Sequence, residues 1–490
     1  MYTGSNQPSD ISGLLKFAAD SYGERACIKW ADGQQIYQKT YTEMYNDSIS
    51  AARHIYSAVG KKRVHIAITG KTSYDYLTFF NGIFIAGCVA VPIGDSVPPE
   101  EAAELFTAAD CSAVIFDEST ENTVKEAAPD GMTLIKITDR FSDGGAVLPE
   151  SKPEECALIM FTSGTTGGKK GVMLTQSALI TNVFFKEMSF EGGKTALNVL
   201  PLNHIFSFSC DYLKNLRDGV TVCLSGGAAG LYRSLLTFEP DFVRLVPVMT
   251  LALLKKIKIE QKRHPELSPR EAGERIFGKN LRSIISSGAK LPADRAEEFE
   301  KAGVSVRQGY GMTEAGPRIA VPDGRTDAAS AGAIVSFVKA RIENGELQIK
   351  SPSVMTGYYK EPEETAKAFT PDGWLKTGDT GYITDDGILY ITGRVKNLII
   401  LSNGENVSPE EAENRLTAYP PIKEAIVKEK NDMLFAEIYP EGEITDETAK
   451  QAAKAIAEYN SSVSSEREIA DFSLRSTPFP RTESGKIIRT

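Results

Sequence analysis

A run of hydroxyl and glycine residues is the first segment of this sequence whose residue types indicate chemistry. Its members are Thr162, Ser163, Gly164, Thr165, Thr166, Gly167 and Gly168. The apolar stretch 157–161 precedes the run, and Lys169 and Lys170 follow it. Glycines let backbone N–H groups converge on an anion, hydroxyls donate further hydrogen bonds, and lysines supply positive charge. The segment therefore predicts a phosphate-binding loop at the end of a buried strand.

Two other interpretations of this loop are weaker. A Walker A loop, GxxxxGK[ST], requires a glycine where Lys169 stands and a hydroxyl residue where Gly171 stands. A flexible surface linker seldom leaves the end of a buried strand with so many hydroxyls. We therefore expect a phosphate site of another type than the P-loop.

Histidine and cysteine usage disfavours several other kinds of active site. The four histidines are His54, His65, His204 and His264, and no two have the spacing of an HExxH metal site. The six cysteines include no CxxC pair, which argues against zinc and dithiol sites. No strand-to-helix turn carries the GxSxG pattern of a serine hydrolase.

The charge balance and the apolar runs bear on partners and location. With 55 Lys plus Arg and 65 Asp plus Glu, the net charge is -10. This charge argues against nucleic acid or an anionic membrane surface as a partner, so phosphate recognition must be local. The N-terminus has no secretory signal pattern, and no run approaches about 18 consecutive apolar residues. A cytoplasmic protein with no transmembrane segment is expected.

Short apolar runs alternate with amphipathic stretches and must supply the elements that position the loop. The runs are 64–68, 113–116, 158–161, 220–224, 242–246 and 283–285. This order is typical of βα units around parallel sheets. From about Gly332, alternating strands with NG and DDG turns predict a β-rich part. The predicted fold class is α/β, with two βα-layered subdomains and a β-rich subdomain in the large N-terminal domain.

A small α+β domain is predicted to follow a boundary near residues 395 and 396. Ser408, followed by a proline and two glutamates, is typical of a helix N-cap. The elements expected beyond it are a helix from Pro409, strands near 425–428 and 434–439, and a helix over 447–459. The two predicted domains are residues 1–395 and 396–490.

The loop resembles the signature loop [ST]SGTTGxPKG of the adenylate-forming superfamily, which includes acyl-CoA synthetases, peptide-synthetase adenylation domains and beetle luciferases. Lys169 stands in place of the usual proline, whereas Lys170 and Gly171 fit the pattern. Four further segments resemble superfamily motifs in the same order, namely 286–292, 308–314, 374–379 and 480–490. The resemblance implies a large N-terminal domain and a small mobile C-terminal domain that rotates between two half-reactions.

The resemblance also implies which residues bind ATP or AMP. Besides Lys170 and the loop residues Thr162 to Gly167, they are Gly288, Ala289, Gln308, Gly309, Tyr310, Thr313, Asp379 and Arg394. Tyr310 would frame adenine, and Asp379 would accept hydrogen bonds from both ribose hydroxyls, because its two oxygens suit a vicinal diol. Glu314 would help hold Mg²⁺, since a carboxylate beside polyphosphate needs a cation between them.

The catalytic residues implied by the resemblance are Lys486, His204 and Glu314. Lys486 would be the adenylation lysine, because an ammonium group offsets the repulsion between a carboxylate and a phosphate and stabilises the transition state. Lys396 matches the hinge between the domains. Rotation would replace Lys486 by the turn that carries Asn403 and Gly404, which would contact the pantetheine arm of coenzyme A.

The segment 200–206, LPLNHIF, resembles the acyl-CoA synthetase version of its motif and places His204 near the carboxylate and thiol path. A buried core histidine is the alternative. Ser207 follows Phe206 where peptide-synthetase domains carry an aspartate, so a free amino acid is disfavoured. The residues expected to line an apolar acyl pocket are Ile205, Phe206, Phe208, Val246, Val248, Met249, Met312 and Ala315. Arg318 is expected in a surface salt bridge rather than at a second carboxylate.

The predicted reaction is ATP-dependent activation of a carboxylic acid as acyl-AMP, with release of pyrophosphate, and transfer of the acyl group to coenzyme A. The acid is expected to carry an apolar acyl or aryl group, and ATP, Mg²⁺ and coenzyme A are the expected cofactors. A separate carrier protein is the alternative acceptor. A luciferase-like oxidation of the adenylate and a nucleotide sensor without catalysis are two further alternatives, the last opposed by Lys170, Glu314, Asp379 and Lys486.

Overall fold

A computed structural model describes most of the chain. The described residues are 7–137, 146–163, 169–185, 193–401, 406–430, 433–464, 467–481 and 487–489. Seven predicted site residues lie outside these ranges, namely Gly164, Thr165, Thr166, Gly167, Asn403, Gly404 and Lys486. Ser163 is described in its backbone only.

The first part of the chain alternates helices with short strands. Its elements are α1 (Ile11–Tyr22), β1 (Ala26–Asp32), β2 (Gln35–Thr40), α2 (Tyr41–Val59), β3 (His65–Thr69), α3 (Tyr74–Ile85), β4 (Val89–Pro92), α4 (Pro99–Ala108), β5 (Ala113–Phe116), α5 (Glu121–Ala127), β6 (Thr133–Lys136), β7 (Cys156–Ser163), β8 (Lys169–Thr175) and α6 (Gln176–Thr181). Helix boundaries follow local signals, since Thr40 and Glu43 form a capping box at the start of α2.

The second part continues the alternation. Its elements are β9 (Thr195–Asn198), a π-helix (Phe206–Leu213), α7 (Lys214–Asp218), β10 (Thr221–Leu224), a 3₁₀ turn (Ala228–Gly230), α8 (Leu231–Phe238), β11 (Phe242–Leu245), α9 (Pro247–Arg263), α10 (Pro269–Phe277), β12 (Ser283–Ser286), α11 (Ala293–Lys301) and β13 (Ser305–Gln308). The π-helix starts directly after the LPLNHIF segment. Because π-helical turns are rare and concentrate at functional sites, this π-helix indicates that the segment belongs to such a site.

Strands dominate the third part, and the last part forms a small domain. The third part contains β14 (Tyr310–Gly311), a 3₁₀ turn (Thr313–Ala315), β15 (Arg318–Val321), β16 (Gly332–Ile334), β17 (Lys339–Glu343), β18 (Glu346–Lys350), β19 (Gly357–Tyr358), α12 (Pro362–Ala368), β20 (Leu375–Ile383), β21 (Ile388–Arg394) and a 3₁₀ turn (Val395–Asn397). The last part contains β22 (Ile399–Ile400), β23 (Asn406–Val407), α13 (Pro409–Leu416), β24 (Ile422–Lys430), β25 (Met433–Pro440), α14 (Asp446–Asn460) and β26 (Ile469–Leu474).

Three seven-stranded sheets organise the large N-terminal part. The first sheet has the order β19-β8-β7-β4-β3-β5-β6, the second β13-β12-β11-β9-β10-β1-β2, and the third β14-β15-β16-β21-β20-β18-β17. The C-terminal part holds a three-stranded sheet, β24-β25-β26, and the pair β22-β23. Its apolar side chains form a separate hydrophobic cluster. The predicted α/β class, with a large N-terminal domain and a small C-terminal one, is confirmed.

Two features of the sheets differ from the sequence-based prediction. The β-rich sheet begins at Tyr310 rather than near Gly332, because two short strands precede the alternating segment. A strand of two residues shows no periodicity, so its pattern was not visible. In addition, the N-terminal strand β1 pairs in parallel with β10, far along the chain, and so completes the second sheet.

The start of α13 also differs from expectation. Ser408 is the N-cap residue, but its hydroxyl makes no capping hydrogen bond and instead donates to the Thr392 carbonyl at 2.9 Å. A Cβ added to Gly393 would overlap the Ser408 Oγ, so a side chain at this position would displace the Ser408 hydroxyl. The hydroxyl therefore joins the small C-terminal part to β21. None of the helices in the described ranges combines the length and apolar character needed to cross a bilayer.

Candidate active site

The segments that contain Gly288 and Gly309 follow two neighbouring strands of the second sheet, β12 and β13, and lie side by side. The Gly309 N–H donates to the Ser286 carbonyl at 3.2 Å, and the Ser287 hydroxyl donates to the Gly309 carbonyl at 2.8 Å. Gly288 has φ +88°, a left-handed conformation that favours glycine. Ala289 follows it in the same exposed turn. The two motifs thus form one continuous backbone surface at the carboxyl ends of β12 and β13.

The Gln308 side chain has a structural role beside this surface. Its amide oxygen accepts from the Leu291 N–H at 2.7 Å, and its amide nitrogen donates to the carbonyls of Leu291, at 3.1 Å, and Ala328, at 2.7 Å. The side chain is buried. The Gln308 side chain therefore connects the turn after Gly288 to β13. Only the backbone of Gln308 is left for contact with a ligand.

Tyr310, Asp379 and Arg394 form a polar line across the third sheet. The Tyr310 hydroxyl donates to one Asp379 carboxylate oxygen, and the Arg394 Nε lies 2.7 Å from the other. Asp379 is buried, and it follows Gly378, whose φ of +70° makes the turn. Burial, and then the adjacent Asp379 charge, raises the pKa of Tyr310 well above its usual value. The two carboxylate oxygens of Asp379 thus face two donors.

A second polar line runs from Glu314 to the glycine-rich loop. The Tyr358 hydroxyl donates to Glu314 at 2.9 Å, and the Lys170 ammonium lies 5.1 Å from the centre of the Tyr358 ring. Lys170 also forms an ion pair with Glu364. Hydrogen bonds from Lys170 and Lys367 lower the pKa of Glu364 to about 2. Tyr358 therefore contacts both Lys170, on β8, and Glu314, which lie far apart in sequence.

The remaining loop residues divide between two directions. Lys169 forms an ion pair with Glu101 on α4, away from Glu314. Thr162 on β7 lies opposite Lys170 in the antiparallel register, and Thr313 opens the 3₁₀ turn that carries Glu314. Of the two lysines that follow the glycines, Lys170 is the one that contacts Tyr358 in the second polar line.

Glu314 fits the requirements of a magnesium ligand. Mg²⁺ is usually bound by one or two carboxylates, with substrate phosphates and waters completing the shell. Within the described residues, no cluster of three or more potential ligand side chains supplies a complete protein site. A single carboxylate such as Glu314 would suit a Mg²⁺ that is shared with the phosphates of a nucleotide.

His204 lies in the turn before the π-helix and is exposed, so the alternative of a buried core histidine is wrong. Its carbonyl accepts from the Phe208 N–H at 3.0 Å and belongs to the first turn of the π-helix. Phe208 is fully buried and stacks on Phe80, with 4.7 Å between ring centres. The expected acyl-pocket residue Phe208 is therefore a core residue, whereas Val248, with 61% exposure, lies at the surface.

Several other expected lining residues are partly exposed. They are Phe206, Val246, Met249 and Met312, whereas Ile205 and Ala315 are buried. Val246 lies beside Gly288, since a Cβ added to the glycine would be 3.7 Å from its Cγ1. Part of the predicted apolar lining is thus adjacent to the nucleotide motifs.

The hinge and the C-terminal segment are described in part. Lys396 is exposed in the 3₁₀ turn that follows β21. Arg481 and Ile487 form an antiparallel bridge, so the ends of the segment that contains Lys486 lie together. Arg481 also lies 2.7 Å from Glu424 on β24. These contacts attach the base of the Lys486 segment to the C-terminal sheet.

Two contributors to these lines were not predicted from the sequence, and the burial of a third residue, outside the lines, was predicted wrongly. Tyr358 and Glu364 contact residues of the predicted site, but neither lies in a motif with a recognisable charge or glycine pattern. Arg318 was expected at the surface, yet it is buried. The aromatic pair in the segment GYYK was a visible signal for Tyr358, although nothing in it indicated Glu314 as the partner.

Three sheets thus meet around segment 308–315 in an α/β enzyme of two unequal domains. The model of the AMP-binding enzyme family matches residues 15–359, and that of its C-terminal domain matches residues 396–490. The chain belongs to the AMP-binding enzyme family.

Named relatives extend over most of the chain. A 4-coumarate–CoA ligase 2 of Nicotiana tabacum is 25% identical over 96% of this chain and 91% of its own length. A sulfoacetate–CoA ligase of Cupriavidus necator is 32% identical over 70% of each chain. Among solved structures, ATP-bound MatB from Rhodopseudomonas palustris shares the fold with a TM-score of 0.81, at 23% identity over 98% of this chain and 97% of that one.

Proposed function

We propose that this protein, an AMP-forming acid–thiol ligase, joins a carboxylic acid with an apolar acyl or aryl body to coenzyme A through an acyl-AMP intermediate. The named relatives are ligases for coumarate and sulfoacetate with coenzyme A as acceptor. The observation that carries the proposal is the position of segment 308–314. It joins the Tyr310–Asp379–Arg394 line to the Glu314–Tyr358–Lys170 line, so groups suited to a ribose and to phosphates lie on either side of it.

In the first half-reaction, a carboxylate oxygen of the acid attacks the α-phosphorus of ATP, and pyrophosphate leaves. Asp379 and Arg394 hold the ribose, and the backbone at Gly288 and Gly309 lies against adenine. Lys170 faces the phosphates. Mg²⁺ held by Glu314 would neutralise phosphate charge. Lys486 approaches the carboxylate and the α-phosphate, where an ammonium offsets the repulsion of two anions.

In the second half-reaction, the thiol sulfur of coenzyme A attacks the acyl carbonyl carbon, and AMP leaves. We propose that the small domain turns about Lys396 between the two steps, which removes Lys486 and brings Asn403 and Gly404 toward the thiol path. His204, which is exposed, would guide the thiol toward the acyl-AMP. The domain boundary at residues 395 and 396 is part of this proposal.

Cytoplasmic location belongs to the same proposal. The six cysteines are free thiols, and five of them are buried. Reduced thiols are typical of cytoplasmic proteins.

A panel of carboxylic acids tests the function. Pyrophosphate release is measured with ATP and Mg²⁺ for each acid, with coenzyme A, without it, and with a carrier protein in its place. We expect one acid class to support release and coenzyme A to be acylated. Stimulation by the carrier protein but not by coenzyme A would favour the alternative acceptor, and no release with any acid would contradict the proposal.

The Lys170 contact gives a prediction for ATP binding. We expect Lys170→Met to weaken ATP binding by about 10-fold to 100-fold, because a charge-assisted contact to phosphate is lost. Lys367→Met is the matched control, since Lys367 also contacts Glu364, at 2.7 Å, but is 69% exposed. Titration with ATP measures both. Equal effects of the two variants would show that Lys170 acts only through Glu364.

A further inference from the structure

A cluster of buried charged residues lies on and around the two helical segments that follow His204, the π-helix and α7. Its members are Asp211, Lys214, Asp218, Arg244 and Arg318, all buried. Lys214 pairs with Asp218, and the Arg244 Nη1 lies 3.1 Å from Asp211. Of these residues, Asp211 is on the π-helix, which also carries Ser209. We call these five residues the charge cluster.

Arg318 differs from the other two cations of the charge cluster. It is 5% exposed, and within the described residues it forms no ion pair with any carboxylate. Its Nη1 donates to the Asn182 carbonyl and, at 3.4 Å, to the Ser209 hydroxyl, while its Nη2 lies 3.5 Å from the Ser209 carbonyl. An arginine carries five N–H groups. The Nε–H and one Nη2 N–H are therefore left without a partner in the described part of the chain.

Among the described residues, Arg318 is the cation of the charge cluster that has no carboxylate at ion-pair distance. The two carboxylates, Asp218 and Asp211, pair with Lys214 and Arg244. Burial lowers the pKa of Lys214 to about 7, so part of the Lys214 side chains are neutral near pH 7. Lys214 and Arg318 both contact the Phe185 ring, each with its cation 5.1 Å from the ring centre. A buried charge without a counter-ion is costly, and an anionic ligand group would offset that cost for Arg318.

The position of Arg318 connects the charge cluster to the acid site. The backbone N–H of Arg318 donates to the Asn182 side-chain oxygen at 2.9 Å. The Asn182 side-chain nitrogen in turn donates to the Ala315 carbonyl at 3.3 Å. Ala315 directly follows Glu314, the proposed magnesium ligand. On the other side, Ser209 lies about one π-helical turn after His204. Arg318 is thus connected through Asn182 to the segment of Glu314, and through Ser209 to the π-helix that follows His204.

We propose that Arg318 binds a second anionic group of the acid, a carboxylate or sulfonate at the end remote from the reacting carboxylate. The inference rests on the proposed function and adds the class of acid to it. The apolar body of the acid would lie along the partly exposed residues Phe206 and Met312, and its distal anion would accept from the unpartnered N–H groups of Arg318. A purely structural Arg318 would give no dependence on the charge of the substrate.

The test compares straight-chain dicarboxylic acids with their monomethyl esters, which have one free carboxylate and a similar length. Acid-dependent ATP–pyrophosphate exchange is measured for the full chain. We expect the wild type to favour the best diacid over its ester by about 30-fold in kcat/KM. Arg318→Met should lose that preference, mainly through KM for the diacid, while the ester changes by about 3-fold or less. Arg318→Lys should retain part of it.

Arg325→Met is the control, because Arg325 is an exposed arginine paired with Asp323 at 2.6 Å. It should keep the wild-type preference. If the wild type uses diacids and esters equally, or if Arg318→Met and Arg318→Lys lose both substrates alike, Arg318 is a structural residue and the inference is wrong. If Arg318→Met does not fold, the wild-type comparison and Arg318→Lys decide it. If neither the diacids nor the esters support exchange, the proposed function itself is wrong.

Discussion

Lys486→Ala is expected to lower acid-dependent ATP–pyrophosphate exchange by about 10²-fold to 10³-fold, in line with the loss of one positioned charge at a developing anion. The carboxylate and the α-phosphate repel each other as they approach, and the ammonium group stabilises that arrangement. Transfer of the acyl group from preformed acyl-AMP to coenzyme A should change by about 3-fold or less, since that step involves a different orientation of the small domain. Two separate assays, exchange and thioester formation, measure the two steps.

Lys454→Ala is the control for this experiment. Lys454 lies on α14 in the same C-terminal part, 79% exposed, with Glu458 at 3.9 Å. An ion pair so exposed contributes little, so both assays should match the wild type. A comparable loss in exchange and in thioester formation for Lys486→Ala would contradict the assignment of Lys486 to adenylation.

Asp379→Asn is expected to weaken ATP binding by about 10-fold to 100-fold with the fold intact. The two Asp379 oxygens already face Tyr310 and Arg394, and the ribose hydroxyls would take the same acceptors. An asparagine presents one acceptor oxygen and places an N–H₂ group toward one of these donors. The variant therefore loses a charge-assisted contact with Arg394 as well as one acceptor for the ribose.

Titration with ATP and thermal unfolding measure the two parts of this prediction. Asp372→Asn is a matched control, because Asp372 also accepts from an arginine, Arg341 at 3.0 Å, but its side chain is 57% exposed. It should bind ATP as the wild type does. Unchanged ATP affinity in Asp379→Asn would exclude a ribose role, and a large fall in Tm would point to a structural one instead.

Many of the secondary-structure elements could be predicted from the local sequence. The strand pattern of 113–116 coincides with β5, and the helix expected from Pro409 forms as α13. These elements depend on side-chain periodicity and on caps within a few residues, which a single sequence displays. The boundary of the third sheet was missed because β14 has only two residues.

Long-range features could not be derived in the same way. Arg318 has the composition of a surface residue, and its burial depends on Asn182, which lies 136 residues away. The Ser408 hydroxyl was expected to cap its own helix, yet the neighbouring strand β21 offered a carbonyl at hydrogen-bonding distance. In both residues a tertiary contact replaced the interaction that local rules favour.

The sequence by itself determined the family resemblance, the α/β class and the residue types available for adenylation, because motifs and periodicity are written in consecutive residues. Only the tertiary structure decided which of those groups meet. Tyr310 reaches Asp379 across 69 residues, and Lys170 reaches Glu364 across 194. Such contacts follow from the packing of sheets against one another, and the energy of that packing is spread over the core rather than encoded near either residue.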